Sequence, residues 1–194
     1  MIGRSLHLKE EWPRLALGCA GILLLAAMAL RAEGRLWLCS CGSFRAWTSD
    51  AWGPETSQRL FDPYSLTHVL HGFLFFWLLA LAAPRLRSSW RFLFAVGTEA
   101  LWEILENSEF VIRRYREATA ALGYNGDTVV NSLGDVIACA LGFLVALRLG
   151  AWRTLALFFL IELLLLVWIR DSLLLNVLML LHPVESIKQW QAGH

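Results

Sequence analysis

The chain is poor in charge. Asp, Glu, Lys and Arg make up only 17% of its residues, against roughly 25% in soluble domains, and the two signs nearly cancel to a formal net charge of +1. So sparse and balanced a charge leaves no basic field, which excludes nucleic acid as a partner. Cysteine is scarce as well. Four in 194 residues cannot make a disulfide scaffold, and no Cys-x-x-Cys pair of redox or zinc type is present. Cys19 and Cys139 lie in apolar runs, where a thiol behaves as a small hydrophobe. Cys39 and Cys41 stand one residue apart in a polar stretch, a spacing poor for bonding to each other, so partners elsewhere or free thiols are expected. The sequence also lacks His-Glu-x-x-His, Gly-x-Ser-x-Gly, a P-loop and Gly-x-Gly-x-x-Gly. Those absences exclude the familiar zincin, serine-hydrolase, nucleotide-hydrolysing and dinucleotide-binding designs.

What the chain has is long apolar runs. It is 57% hydrophobic with a mean hydropathy of +0.53, and a spanning helix needs about 20 mostly apolar residues. Spans are expected at about 15–31, 65–83, 90–107, 128–147 and 154–169, with the third continuing toward Arg116. Glu10 and Glu11 precede the first run and no small-x-small cleavage site follows it, so it reads as a retained anchor rather than a signal peptide. Ser65, after Asp62-Pro63, is a candidate N-cap for the second span, and Pro84 ends it. Leu173 to Leu181 is too short to span, which predicts an interfacial or re-entrant helix ending at His182-Pro183. The expected fold is therefore all-α: one domain over residues 1–194, a polytopic membrane bundle of about five transmembrane helices, with residues 32–64 as its longest loop.

Arginine placement gives an orientation. Arg85, Arg87 and Arg91 between the second and third spans, and Arg148 and Arg153 between the fourth and fifth, have no acid among them; the positive-inside rule puts both loops in the cytoplasm. The N-terminus is then cytoplasmic and loop 32–64 outside. Arg113, Arg114 and Arg116 argue the other way.

The informative residues are those that do not belong in lipid. His68 and His71 fall in the second span, Glu99, Glu103 and Glu106 in the third, Asn131 and Asp135 in the fourth, and Asp127 just before the fourth. At 100° per residue each set forms one stripe, and in an alternating topology all three stripes lie at the same end of the bundle. An ionised carboxylate at a helix centre costs about 2.5–3.5 kcal/mol on insertion scales, whereas each Leu, Ile, Phe or Val returns about 0.3–0.6. The third span therefore needs its glutamates paired, protonated or turned to a wet cavity. Such a set either pins helices together or holds something polar. Carboxylates with imidazoles are the ligand types of a divalent metal or a proton relay. Glu103, Asp135 and His71 are the candidate catalytic groups; His68, Glu99, Glu106, Asp127, Asn131, Arg113 and Arg114 are candidates for binding; and His68, His71, Glu103 and Asp135 are candidate ligands of a divalent metal. Arg113, Arg114 and Arg116 suit either a lipid phosphate or a solvated helix end. Glu162, Arg170 and Asp171 either line the same cavity or pair locally, Arg170 with Asp171 or Glu109.

The segments LTHVLHGFLFFWLL, GTEALWEILENSEFVIRRYRE, GYNGDTVVNSLGDVIACALGF and IRDSLLLNVLMLLHPVESIKQW resemble uncharacterised protein family 0314, also described as domain of unknown function 2585, over nearly the whole chain. That resemblance implies a bacterial inner-membrane protein. The order His, Glu-x-x-x-Glu, Gly-Asp and a downstream Asp is similar, more distantly, to VanZ-like membrane proteins associated with glycopeptide resistance. By position it implies His68, His71, Glu99, Glu103, Asp127, Asn131 and Asp135 as the shared polar set, with Thr67 standing where VanZ-like chains carry a charge. Three functions are compatible with this pattern: a pocket for a cation or lipid head group with a role in envelope modification, a metal-dependent hydrolase or transferase acting on a lipid-linked substrate, and a proton- or ion-coupled carrier. Membrane lipids and a small or lipid-linked ligand are the expected partners.

Overall fold

The computed structural model describes residues 3–121 and 123–193, with residues 3–10 described by their backbone alone. Its elements are α1 (Gly3–Ala32), α2 (Ser65–Ala82), α3 (Ser88–Glu106), α4 (Glu109–Ala118), α5 (Val129–Leu149), α6 (Ala151–Ile169), α7 (Leu173–Leu181) and α8 (Glu185–Ala192). No strand occurs among the described residues beyond an isolated Trp47–Phe61 bridge, so the protein is all-α. Within α1, α2, α5 and α6 lie four segments long and apolar enough to cross a membrane. The 19 residues of α3 reach roughly 28 Å, but Arg91 and three glutamates spoil its composition. It is the one expected span that is not among those four.

Helix ends follow the local sequence. Pro84 stops α2, and Gly150 at φ +77° separates α5 from α6. Ser108, Thr128 and Ser172 cap α4, α5 and α7 through their hydroxyls. The continuous helix expected from residue 90 to 116 is instead broken at Asn107, because Ser108 starts a new cap there. Ser65 is not the cap of α2 either: Tyr64 holds that position, and the Ser65 hydroxyl accepts from the Asp62 N–H at 3.1 Å. The α8 helix had no counterpart among the expected elements; its Gln191 donates to the Arg170 carbonyl at 3.1 Å.

Small residues set the packing. A Cβ on Gly72 would stand 2.2 Å from the Cys139 carbonyl oxygen, and one on Gly142 2.2 Å from that of Val69. Only glycines allow α2 and α5 to approach this closely. The α3 helix packs between α1 and α5 through Phe92, Ala95, Val96 and Ala100, and α6 closes on α2 through Phe158 against Leu70 and Phe73. Outward-facing Leu24, Leu25, Phe94, Leu101, Leu163 and Val167 are all exposed, an apolar girdle suited to lipid rather than water.

Residues 33–64 run across one end of the bundle. The first N–H groups of an α-helix have no partner inside it, and here Leu36 and Trp37 carbonyls accept from Val129 and Val130 at 2.8 and 3.3 Å, while Ser57 accepts from Thr128 at 2.9 Å. Those bonds strap the loop onto α5. Arg59, fully buried, donates to Glu55 at 2.5 and 3.1 Å and to the Ser43 carbonyl at 2.5 Å. Cys39 and Cys41 are joined to each other, contrary to the expectation from their spacing. The turn closed by Gly42 N–H on the Cys39 carbonyl leaves their Cα atoms 5.1 Å apart, inside the range a disulfide spans.

At the other joint, Glu162 of α6 accepts from Leu173 and Leu174 N–H at 3.0 and 3.2 Å, which satisfies the opening turn of α7. Arg170 donates to the Trp190 carbonyl at 3.1 Å rather than pairing with Asp171 or Glu109.

Replacing Gly142 by Val forces α2 and α5 apart and is expected to destabilise the fold by roughly 3 kcal/mol or more. Gly21→Ala, where nothing lies within 4 Å, leaves stability nearly unchanged. Thermal unfolding of the two variants in detergent measures the difference.

Candidate functional site

The site is assembled where α2, α3 and α5 meet beneath the strapped loop. The close approach of α2 to α5 brings His68 to Asp135, with Nε2 3.9 Å from Oδ2. The other ring nitrogen, Nδ1, lies 2.5 Å from Glu99 Oε1 and 3.2 Å from Glu103 Oε1. His71, one turn further along α2, puts Nδ1 3.0 Å from both oxygens of Glu99. One carboxylate thus bridges two imidazoles, which themselves pack edge-on at 5.1 Å. Residues three and four apart share a helix face, which is why His68 and His71 reach Glu99 together while Glu103, one turn on, faces His68 alone.

Pairing is incomplete. Glu99 has partners, but neither oxygen of Glu103 nor Oδ1 of Asp135 accepts a hydrogen bond, although both residues are at least 96% buried. Glu103 Oε1 is close to His68 yet badly aligned for a bond. Buried acceptors are normally satisfied, so three bare carboxylate oxygens in one place are a specific anomaly. Donor atoms of His68, Glu103 and Glu106 lie within 4.8 Å of one another, as do those of His68, His71 and Glu99. The metal set expected from sequence therefore divides: His68 belongs to both groups, His71 and Glu103 to different ones, and Asp135 to neither.

Behind these groups lies a second network. Asn107 donates to the Glu103 carbonyl at 3.0 Å, to Asp127 at 2.9 Å and to Ser132 at 3.2 Å, and its own oxygen accepts from Asp127 N–H at 2.7 Å. Tyr124 donates to Asp127 at 3.0 Å. Burial pushes the Asp127 carboxyl above its ordinary range, opposed by bonds from Asn107 and Tyr124. Burial likewise raises Tyr124, which keeps it a donor. Asn131 does not face the imidazoles with a free amide: it donates to the Arg59 carbonyl at 2.8 Å and so holds the loop. Of the expected basic residues, Arg114 donates to the Leu180 carbonyl at 2.8 Å, tying α4 to α7, and Arg113 stays exposed, 4.0 Å from Glu117. Neither reaches the histidines. Asn107, Tyr124, Tyr115 and Asp62 were not singled out from the sequence. Asn107, sitting at a helix end between an acidic stripe and a cap, carried the one local signal.

A cavity of about 1110 Å³ adjoins the site, its wall including His68, His71, Glu106, Asp127 and Asp135. Asp171 is also in that wall, accepting from Ser172 N–H at 2.9 Å, Tyr64 at 3.3 Å and Asn176 at 3.3 Å.

Residues 30–193 match the family described as Protein of unknown function (DUF2585). The chain is similar to a UPF0314 protein of Brucella anthropi, 45% identical over 95% of this chain and 93% of the relative. It is 47% identical to a UPF0314 protein of Sphingopyxis alaskensis over 90% and 93% of the two chains, and 45% identical to one of Paracoccus denitrificans over 89% of each. No solved structure matches.

Burial raises Asp171 to about 6. Below pH ~4 the folded and unfolded chains both hold this proton; between about 4 and 6 only the folded chain does, so stability falls as pH rises through that window and then levels. Asp171→Asn is expected to remove that part of the decline, on the order of 3 kcal/mol, read as the difference between the two proteins' thermal unfolding at pH ~4 and pH ~7.

Proposed function

The chain belongs to the DUF2585 family of unknown function, and within that family we propose that it is a membrane protein holding a divalent cation in a polar pocket at the outer end of its bundle, with a role in envelope modification. The observation that carries this reading is the bare carboxylate of Glu103, buried beside His68 with Glu106 in reach. A cation supplies what those oxygens lack, and a mixed nitrogen and oxygen donor set suits a divalent ion. His68, Glu103 and Glu106 are the proposed ligands; Glu99, shared with His71, holds the Nδ1 of His68 and leaves its Nε2 for the ion, as carboxylate partners of metal-bound histidines do.

The cell inner membrane and a cytoplasmic N-terminus complete the proposal. Arg87 meets Glu11 at 3.0 Å at the end that the positive-inside rule assigns to the cytoplasm. At the opposite end, the Cys39–Cys41 bond favours an oxidising compartment. The cavity beside the ion pocket, far larger than an ion requires, favours a second reading, that of a metal-dependent hydrolase or transferase. In it Asp135 and His71 act as acid and base beside the ion.

Metal analysis of the purified full-length protein tests the proposal. About one divalent ion per chain is expected, with affinity reduced about tenfold to a hundredfold in Glu103→Gln and unchanged in Glu117→Gln, an exposed acid. A wild-type protein free of metal, or a Glu103→Gln protein that retains it, overturns the reading.

A further inference from the structure

The cavity wall changes character with depth. Along α2 it passes from Thr67 and His68 through His71 to Phe75, and along α3 from Glu106 through Trp102 to Thr98. Each stripe takes in nine residues of helix, a rise of about 12 Å. Toward the middle of the bundle the α2 stripe passes from polar to apolar, and the α3 stripe from a carboxyl group to the indole of Trp102 and the uncharged Thr98. Thr98 is exposed, and its neighbours on that side, Phe94, Leu101 and Leu105, are exposed apolar residues of the lipid-facing girdle. Val177, also exposed, brings the wall to the outer side of α7. The α2 helix packs mainly on α5 and less on α3, and residues of both α2 and α3 line the cavity on this side. On the water side, main-chain bonds hold the loop across the bundle end.

We infer that the cavity admits its ligand sideways from the bilayer between α2 and α3, and that the ligand is a phosphate-bearing lipid whose head reaches the cation proposed at His68, Glu103 and Glu106 while its chain stays in hydrocarbon. The phosphate part rests on the metal reading above; the sideways entry does not. A lipid in the outer leaflet hangs head outward and chain inward, the same sense in which the α2 stripe passes from polar to apolar. Phosphate is the head chemistry that needs the ion. The wall carries Glu106, Asp62, Asp127, Asp135 and Asp171, which repel an anion. Arg59 is turned onto Glu55 and Ser43, Arg114 onto Leu180 and Arg116 onto Tyr124, and Arg35, the one guanidinium in the wall among the described residues, donates to the Asn125 carbonyl at 2.6 Å and stands against five carboxyl groups. A divalent ion reverses the sign at the point where the head arrives. A volume of about 1110 Å³ is at the upper end of what small-molecule sites enclose, enough for a head group and the first part of a chain.

The full-length protein in lipid nanodiscs, labelled with phosphatidic acid carrying a diazirine on its acyl chain, provides the test. Adducts mapped by mass spectrometry are expected on residues 71–102, with yield lowered about tenfold by chelation of the ion, the equivalent of one charge-assisted contact. A diazirine diacylglycerol, lacking the phosphate, is expected to label this segment no better than the chelated sample. Thr98→Trp obstructs the proposed entry from an exposed position; it is expected to lose the labelling while keeping its metal and its thermal stability. Metal bound but adducts spread evenly over α1, α2, α3 and α6 overturns the lipid entry and leaves the ion standing. Adducts confined to residues 71–102 in a protein that holds no metal, or equal labelling by diacylglycerol, overturn the ion-bridged phosphate and leave the sideways route standing.

Discussion

Glu99 is a carboxylate with essentially no contact with water, lying inside a helix bundle where an unpaired charge would be costly. Two imidazoles one turn apart on α2 take up its oxygens. That contact fixes α2 against α3 in rotation and height, because a shift of one residue on either helix would turn a histidine into lipid or into the core. The neighbouring groups inherit their places from it. His68, fixed through Nδ1, presents Nε2 to Asp135 on α5, and Glu103 on the next turn of α3 is left beside the same ring without a bond of its own. The absence of Cβ atoms at Gly72 and Gly142 is the steric counterpart of that arrangement; a wider spacing between α2 and α5 would draw His68 away from Asp135.

Much of this was legible before any coordinates. Apolar runs bounded by Pro84 and arginines located α2, α3, α5 and α6 to within a few residues, since span length is fixed by bilayer thickness; α1 extends well ahead of its apolar run, to Gly3, and α8 was not foreseen. Stripes at helical spacing put the histidines, glutamates and Asp135 at one end, because alternation of direction leaves no other arrangement. What could not be read was how the stripes divide their work. His71 shares Glu99 with His68 whereas Glu103 meets His68 alone, because rotation about the α2 and α3 axes depends on packing with α5, and nothing local encodes that. Asn131 and Arg114 looked like ligands but hold backbone carbonyls of Arg59 and Leu180; the identity of a long-range carbonyl partner leaves no trace in spacing. The Cys39–Cys41 bond depended on a turn closed at Gly42, and the break at Asn107 on a cap one residue beyond it.

Two kinds of polar residue thus coexist at this end of the bundle. One kind is saturated: Asn107, Asp127, Tyr124 and Ser132 exchange bonds among themselves, and Arg59 with Glu55 and Ser43 anchors the loop. The other kind, Glu103 and Asp135, is left wanting in the middle of that saturated shell. The satisfied and the unsatisfied groups stand within a few ångströms of each other, since Asn107 donates to the main-chain carbonyl of the same Glu103 whose side chain has no donor. The 47% identity to the Sphingopyxis alaskensis relative over nine-tenths of each chain leaves these residues as the natural first positions to compare across the family.

The bond from Glu162 to the first turn of α7 has a mechanical consequence. A nine-residue helix is too short to hold itself together in isolation, and its opening N–H groups are fastened to a side chain of α6. The α7 helix is thus fastened at its start to α6, and further along to α4, where Arg114 donates to the Leu180 carbonyl and Tyr115 to Asn176. Val177 and Leu180 stand in the cavity wall, so this side of the cavity is held by a nine-residue helix that borrows its rigidity from two neighbours rather than from its own length.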